Sequence, residues 1–232
     1  MSYRLILDRL AFSFGSKPVF EQLGLAVPIE PGLTLLVGRN GTGKSTLLRL
    51  AVGLLAPREG SVRFEPEVEY LQYVGQKDTL LPHLKPIDNV SLFQRTKHWR
   101  ERYSEDVVHD ASALFEADHI LHGEGLSGGE VRILELIRAM AVRPQVLLLD
   151  EPFEAWDIHR RNHAYQQLAA WCVDNGICCI LATHLSREIW PHAHSVLHLT
   201  VDDRGRSLTR YQKGEDIPPD LANLLFLPTV AP

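Results

Sequence analysis

The sequence predicts an α/β fold: a mostly parallel central sheet, an antiparallel β region before it, and a helical subdomain inserted within it. Three observations carry that prediction. Short apolar runs at Leu33–Val37, Val146–Leu149 and Ile177–Thr183 read as strands buried on both faces, and such strands belong to parallel sheets. The first run leads through a Gly-rich turn into a helical pattern beginning at Ser45. Between Leu80 and Leu121 the composition shifts to His, Arg, Lys, Glu and Asp at helical spacing, as expected of helices laid into the core.

The chain has 232 residues, 45% of them hydrophobic and 23% charged, which suits a globular protein with a sizeable core. It reads as one domain over residues 1–232, with the helical subdomain at about 77–142 and a C-terminal hairpin and tail at 195–232. A net charge of −5 gives no support for a nucleic-acid surface. Three cysteines, Cys172, Cys178 and Cys179, form no C-x-x-C pair, which argues against a disulfide framework. No apolar run approaches the length of a membrane span, and Met1–Asp8 is too charged for a signal peptide. Any membrane involvement is expected to come through another polypeptide.

In chain order, Tyr3–Phe14 and Val19–Ile29 read as strands joined by turn chemistry at Gly15-Ser16-Lys17-Pro18. Phe14 is either a core aromatic or an exposed stacking platform. Pro31-Gly32 turns the chain into the strand before Gly38-Arg39-Asn40-Gly41-Thr42-Gly43-Lys44-Ser45-Thr46. This stretch fits G-x-x-x-x-G-K-[ST], a phosphate-binding loop. Its glycines let backbone N–H groups turn inward toward phosphate oxygens, and the helix that follows adds the positive end of its dipole. Lys44 is a mobile cation for the β- and γ-phosphates, and Ser45 is placed to ligate Mg²⁺. The motif implies a nucleoside triphosphate.

Ser61–Glu65 and Val68–Val74 read as short strands, with Gln76 at the exit of the second. Asp88–Arg95 and Glu105–Phe115 are expected helices. Leu126-Ser127-Gly128-Gly129-Glu130 precedes a helix expected over Val131–Val142. Ser127 and Glu130 fit a capping box, but that motif does not need Gly128 and Gly129, which suggest close approach to the backbone. Val146–Leu149 ends in Asp150-Glu151, where open α/β sheets bind ligands. Asp150 suits the Mg²⁺-associated acid that accompanies a phosphate loop, and Glu151 could orient or deprotonate a water. Ala155–Asn175 is an expected helix closed by Gly176. His184 follows the strand Ile177–Thr183. Ser195–Val201 and Ser207–Tyr211 read as a final hairpin around Asp202–Gly205, and Leu221–Phe226 is an apolar segment in the tail. His192, His194 and His198 lack the spacing of a metal site.

The order of these motifs resembles the nucleotide-binding domain of the ATP-binding cassette (ABC) family, from about Phe12 to His184. Phe14 corresponds to the family's adenine-stacking position, Gly38–Ser45 to Walker A, Gln76 to the Q-loop, and Leu126–Glu130 to the signature, with Glu130 in place of Gln. Val146–Asp150 corresponds to Walker B, Glu151 to the catalytic glutamate, Asp157 to the D-loop aspartate and His184 to the switch histidine. The resemblance implies a P-loop NTPase core that hydrolyses ATP with Mg²⁺. Ser45, Gln76 and Asp150 would surround the metal, and Lys44, Gln76, Glu151 and His184 would act at the γ-phosphate. It also implies a head-to-tail dimer, with itself or a related ATPase subunit. In that dimer Ser127, Gly128 and Gly129 of one chain face the ATP held by residues 38–46 of the other. The role implied is the ATPase subunit of a transporter, cytoplasmic and held at the inner face of the membrane by a transmembrane permease, without direct nucleic-acid contact. A soluble ATPase acting on nucleic acid or the ribosome is the other reading, although the coiled coils or second cassette of such proteins are not seen here. Glu130 is expected to cap its helix or face away, since a carboxylate beside a γ-phosphate would be repelled.

Overall fold

The computed structural model of the chain describes residues 2–123, 125–154, 156–184, 186–202 and 205–226. Two long strands, β1 (Tyr3–Phe14) and β2 (Lys17–Ile29), form an antiparallel pair, and β4 (Glu59–Glu65) joins β1 on its other side. Between them run β3 (Gly32–Val37) and α1 (Lys44–Ala51). β5 (Leu71–Val74) then enters the second sheet. The inserted helices follow: α2 (Pro86–Val90) with a 3-10 turn at Ser91–Arg95, α3 (Lys97–Arg100), α4 (Glu105–Leu114), α5 (Asp118–His122) and α6 (Gly128–Met140). The chain continues as β6 (Val146–Asp150), α7 (Ile158–Asp174), β7 (Cys178–Ala182), the short α8 (Ser186–Ile189), β8 (Ser195–Asp202), β9 (Gly205–Gln212) and α9 (Pro219–Phe226).

The central sheet has the order β5-β6-β7-β3-β8-β9, parallel except for β9, which pairs antiparallel with β8. The expected fold class is therefore present. Its apolar strands show why they contain almost no polar residues. In β6, Val146 and Leu148 pack toward β1, β2 and α1, whereas Leu147 and Leu149 pack toward the inserted helices and α7. β3 divides in the same way, with Leu36 on one side and Leu33, Leu35 and Val37 on the other. Successive residues alternate between faces, so a sheet covered on both sides requires an uninterrupted apolar run.

Several boundaries differ from the sequence expectation for local reasons. α6 begins at Gly128 rather than Val131, because Ser127 caps it: the Ser127 hydroxyl accepts from the Glu130 N–H while the Glu130 carboxylate accepts from the Ser127 N–H at 2.8 Å. α7 begins at Ile158 because Asp157 accepts hydrogen bonds from the N–H groups of His159 and Arg160; Ala155, the expected start, lies outside the described residues. The helix expected over Asp88–Arg95 tightens at Ser91 into the 3-10 turn, and the strand expected from Val68 begins only at Leu71. Asp203 and Arg204 of the last hairpin and residues 227–232 of the tail also lie outside the described residues. The tail segment Leu221–Phe226 is helical, and Leu221 and Leu225 are buried against the main core.

Leu148 is fully buried at the middle of β6. Leu148→Ala should cost about 2–5 kcal/mol. In urea unfolding this appears as a lower midpoint with an unchanged slope.

Candidate active site at the carboxyl edge of the sheet

The parallel strands end level. Leu36 of β3 and Asp150 of β6 both lie opposite Ala182 of β7. The segments leaving these strands therefore emerge together: residues 38–43 after β3, Glu151 after β6 and His184 after β7. Gln76 follows β5, which pairs with β6. This edge of a parallel sheet is where α/β folds bind ligands.

The loop over residues 38–43 wraps the start of α1. Gly43 has φ 111°, and a Cβ there would lie 2.9 Å from the Phe20 ring; at Gly38 a Cβ would lie 2.4 Å from the Leu199 carbonyl. Both positions therefore need glycine for space, and Gly43 for its backbone angle as well. The Lys44 ammonium is buried and donates to the Gly38 carbonyl at 2.8 Å and the Arg39 carbonyl at 3.4 Å. Burial lowers its pKa, opposed by the carboxylates of Glu151 and Asp150. Thr42 is also buried, and its hydroxyl has no hydrogen-bond partner among the described residues. Arg206, far away in sequence, donates to the Thr42 carbonyl at 2.6 Å and braces the loop from β9.

Ser45 donates to Asp150 Oδ1 at 3.0 Å, joining α1 to the end of β6 across the intervening strand. Tyr73 approaches Asp150 Oδ2 at 3.5 Å. Burial pushes the Asp150 carboxyl above its ordinary range, partly offset by Ser45. Glu151 takes a left-handed backbone, φ 55°, an unusual conformation for a residue with a side chain, and its N–H donates to the Ala182 carbonyl at 3.0 Å. One carboxylate oxygen, Oε1, accepts from the His184 N–H at 3.0 Å and lies 3.1 Å from its Nδ1. The other, Oε2, is buried without a partner among the described residues. An unpartnered buried carboxylate oxygen leaves an acceptor for a water or ligand.

The fit to Mg²⁺ is that of an oxygen site built for few protein ligands. Ser45 and Asp150 already touch, and Mg²⁺ takes one or two carboxylates with substrate phosphates and waters.

Gly128 and Gly129 sit at the start of α6, where they line a cavity of about 240 Å³ with Gln76, Glu151, Glu154 and Trp156. No residue of the loop over 38–46 lines it. A Cβ at Gly129 would lie 3.3 Å from the Trp156 indole nitrogen, so the bulky Trp156 packs against Gly129, whereas Gly128 faces open space. Glu130 turns back onto Ser127, whose hydrogen bonds depress its pKa, as expected of a carboxylate spent on capping. Phe14 lies at the end of β1, half exposed, with its ring edge on Phe12. The structure thus gathers Lys44, Ser45, Asp150, Glu151 and His184, sets Gln76 beside Gly128 and Gly129, and leaves Phe14 open on the antiparallel sheet. His198 lies 3.7 Å from Asp220, and His194 lies 3.4 Å from the Thr34 hydroxyl. Tyr73 and Arg206 were not singled out from sequence. Alternation along β5 could have placed Tyr73 on the inner face; nothing local marks Arg206.

A model of the family described as "ABC transporter" matches residues 25–154, more than half the chain. This chain belongs to the ABC transporter family. It is 35% identical over 181 residues to the cytochrome c biogenesis ATP-binding export protein CcmA of Rhodopseudomonas palustris (strain BisB5), covering 73% of this chain and 86% of that one. It is 35% identical over 190 residues to the zinc import ATP-binding protein ZnuC of Yersinia enterocolitica serotype O:8 / biotype 1B (strain NCTC 13174 / 8081), covering 79% and 71%. The chain spans about half the length of several other curated relatives that it matches. The fold of this ABC family chain is that of a solved nucleotide-free ATP-binding cassette from an ABC transporter, at TM-score 0.72 and 18% identity, over 96% of this chain and 98% of that one.

The Asp150 carboxyl carries a testable cost. A carboxyl with a raised pKa keeps its proton in the folded state at pH values where the unfolded chain has lost it, so its contribution to stability falls as pH rises. Asp150→Asn should therefore raise the melting temperature of the nucleotide-free protein at neutral pH, with the gain shrinking toward acid pH, while ATP hydrolysis is lost. Thermal melts across pH, paired with an ATPase assay, check both halves.

Proposed function

We propose that this chain is the ATP-binding and ATP-hydrolysing subunit of an ABC transporter, driving a separate transmembrane partner through ATP-dependent closure of a dimer. The observation that carries the reading is the Glu151 carboxylate, held by His184 through one oxygen and open at the other, level with Lys44, Ser45 and Asp150. In ATP hydrolysis a water must be aimed at the γ-phosphorus, and a carboxylate with one oxygen anchored and one vacant is suited to aim it.

Residues 38–46 cradle the phosphates with backbone N–H groups, and Lys44 exchanges its loop carbonyls for β- and γ-phosphate oxygens. Asp150 and Ser45, with Gln76 nearby, would hold Mg²⁺, which would supply charge neutralisation at the phosphate oxygens. Glu151 Oε2 accepts a hydrogen bond from the attacking water, and His184 keeps Glu151 in place and reaches the γ-phosphate. Phe14 offers its exposed ring to the adenine.

The glycine pair supports the dimer. Gly128 and Gly129 open on a cavity that contains no residue of their own phosphate loop, so the free N–H groups at the start of α6 need a nucleotide presented by another chain. Each ATP is then shared between two copies, or between this chain and a related ATPase subunit. No helix among the described residues is long and apolar enough to cross a membrane. The inserted helices are the surface proposed for the membrane partner, and attachment there would hold the subunit on the cytoplasmic face. The named relatives include both an importer and an exporter subunit, so the cargo and its direction belong to the partner.

Glu151→Gln should retain ATP binding, lose about 10²–10⁴-fold in turnover, and accumulate as an ATP-bound dimer in sizing experiments. Wild-type turnover in this variant would sink the assignment. Ser127→Arg should keep ATP binding to the monomer and abolish ATP-dependent dimerisation; unchanged dimerisation would count against the shared site.

A further inference from the structure

α6 carries three charged residues at i, i+3 and i+6: Arg132, Glu135 and Arg138. All three turn toward one short stretch of chain, the segment Gly75–Thr79 that contains Gln76. Arg132 donates to the Gln76 carbonyl at 2.6 Å, to the Gly75 carbonyl, and to the Asp78 carboxylate at 3.2 Å. Glu135 is almost fully buried, and its Oε1 accepts from the Thr79 N–H at 2.5 Å and the Thr79 hydroxyl at 2.6 Å. Arg138 closes the group, donating to the Thr79 hydroxyl at 2.5 Å and the Thr79 carbonyl at 3.4 Å. Glu135 is held between the two arginines, 2.6 Å from Arg132 and 4.0 Å from Arg138.

Two features separate this group from a surface ion pair. Glu135 is a buried charge, and buried ion pairs are costly unless every lone pair is used. Its partners are also not generic: three side chains from one helix grip the backbone of a five-residue segment that otherwise has no regular secondary structure. The backbone carbonyl of Gln76 itself is one of the gripped atoms. The same helix begins at Gly128, one turn before Arg132.

We propose that Arg132, Glu135 and Arg138 are positioning residues that fasten the Gln76 segment to α6, so that the glycine end of α6 and the Gln76 side chain keep a fixed relative position. The proposal rests on the reading of Gln76 as a γ-phosphate and metal-side group. Engagement of Gly128 and Gly129 by the partner's nucleotide then moves Gln76 with α6, because a side chain whose backbone is clamped to a rigid helix cannot lag behind it. The effect belongs to turnover rather than to ATP binding by the monomer, since none of the three residues touches the loop that holds the phosphates, and the cavity that Arg132 lines with Gly128 and Gly129 takes a nucleotide only in the dimer.

The test is a double-mutant cycle on the full chain, reading kcat, the KM for ATP, and ATP binding to the monomer. Arg132→Met, which keeps the length of the stem, should lower kcat by about 10–100-fold with monomer ATP binding unchanged. Arg132→Lys, which restores a cation able to reach a carbonyl, should recover part of that loss. In a Gln76→Ala background the Arg132→Met substitution should cost nothing more, because the group it positions is gone. Equal losses in both backgrounds, a parallel loss of ATP binding, or unchanged kcat in Arg132→Met would each overturn the proposal. Should Arg132→Met fail to fold, the Arg132→Lys cycle in the two backgrounds decides in the same way. If the wild-type chain hydrolyses ATP and Arg132→Met matches it, the clamp alone is wrong. If the wild-type chain, paired with its partner subunit, has no ATPase activity, the function itself is wrong.

Discussion

The hydrogen bond from Ser45 to Asp150 is the contact on which the site depends. It joins two residues 105 positions apart in the chain, with β4, β5 and the whole helical insertion between them. It can form only because β3, β7 and β6 end level, with Leu36 and Asp150 both opposite Ala182. A shift of two residues in the pairing of β6 would carry Asp150 roughly 6.6 Å along the strand and break the contact. The register of buried strands, set by apolar side chains on two faces, therefore fixes the chemistry at their edge.

The same edge explains why the site is strained and costly. Asp150 and Lys44 are buried, and burial disfavours the charge of each. Glu151 stands in a backbone conformation that most side chains avoid, and one of its oxygens lacks a partner among the described residues. A fold selected only for stability would not retain these features together. They are intelligible as a site prepared for a polyanion and a water, where charge and open acceptors become favourable on binding.

Much of this was legible in the sequence because the informative residues are local. The loop over Gly38–Thr46 is contiguous, the acids follow their strand directly, and His184 follows the next. The apolar runs gave the central sheet for the same reason: burial on both faces leaves a mark in every residue. What was not legible depends on distance in the chain. Arg206 braces the phosphate loop from 164 positions away, and Tyr73 reaches Asp150 from the neighbouring strand, 77 positions away in the chain. Arg132, Glu135 and Arg138 have the spacing of one helix face, and spacing alone cannot distinguish solvent from a buried segment on the other side. The start of α6 was displaced from the expectation at Val131 because the capping box of Ser127 and Glu130 brings two glycines, poor helix formers, into the first turn. The glycine pair and the cap thus share the first turn of α6.

The central claim is that each ATP site is completed by the α6 end of a second chain. Mixing two inactive variants tests it most directly. Lys44→Ala lacks a phosphate-binding cation but has an intact α6 start, whereas Ser127→Arg has the reverse. A mixed dimer contains one complete composite site, from the phosphate loop of the Ser127→Arg chain and the α6 end of the Lys44→Ala chain. The account predicts that neither variant hydrolyses ATP alone and that the equimolar mixture does. A mixture as inactive as its two components would contradict it.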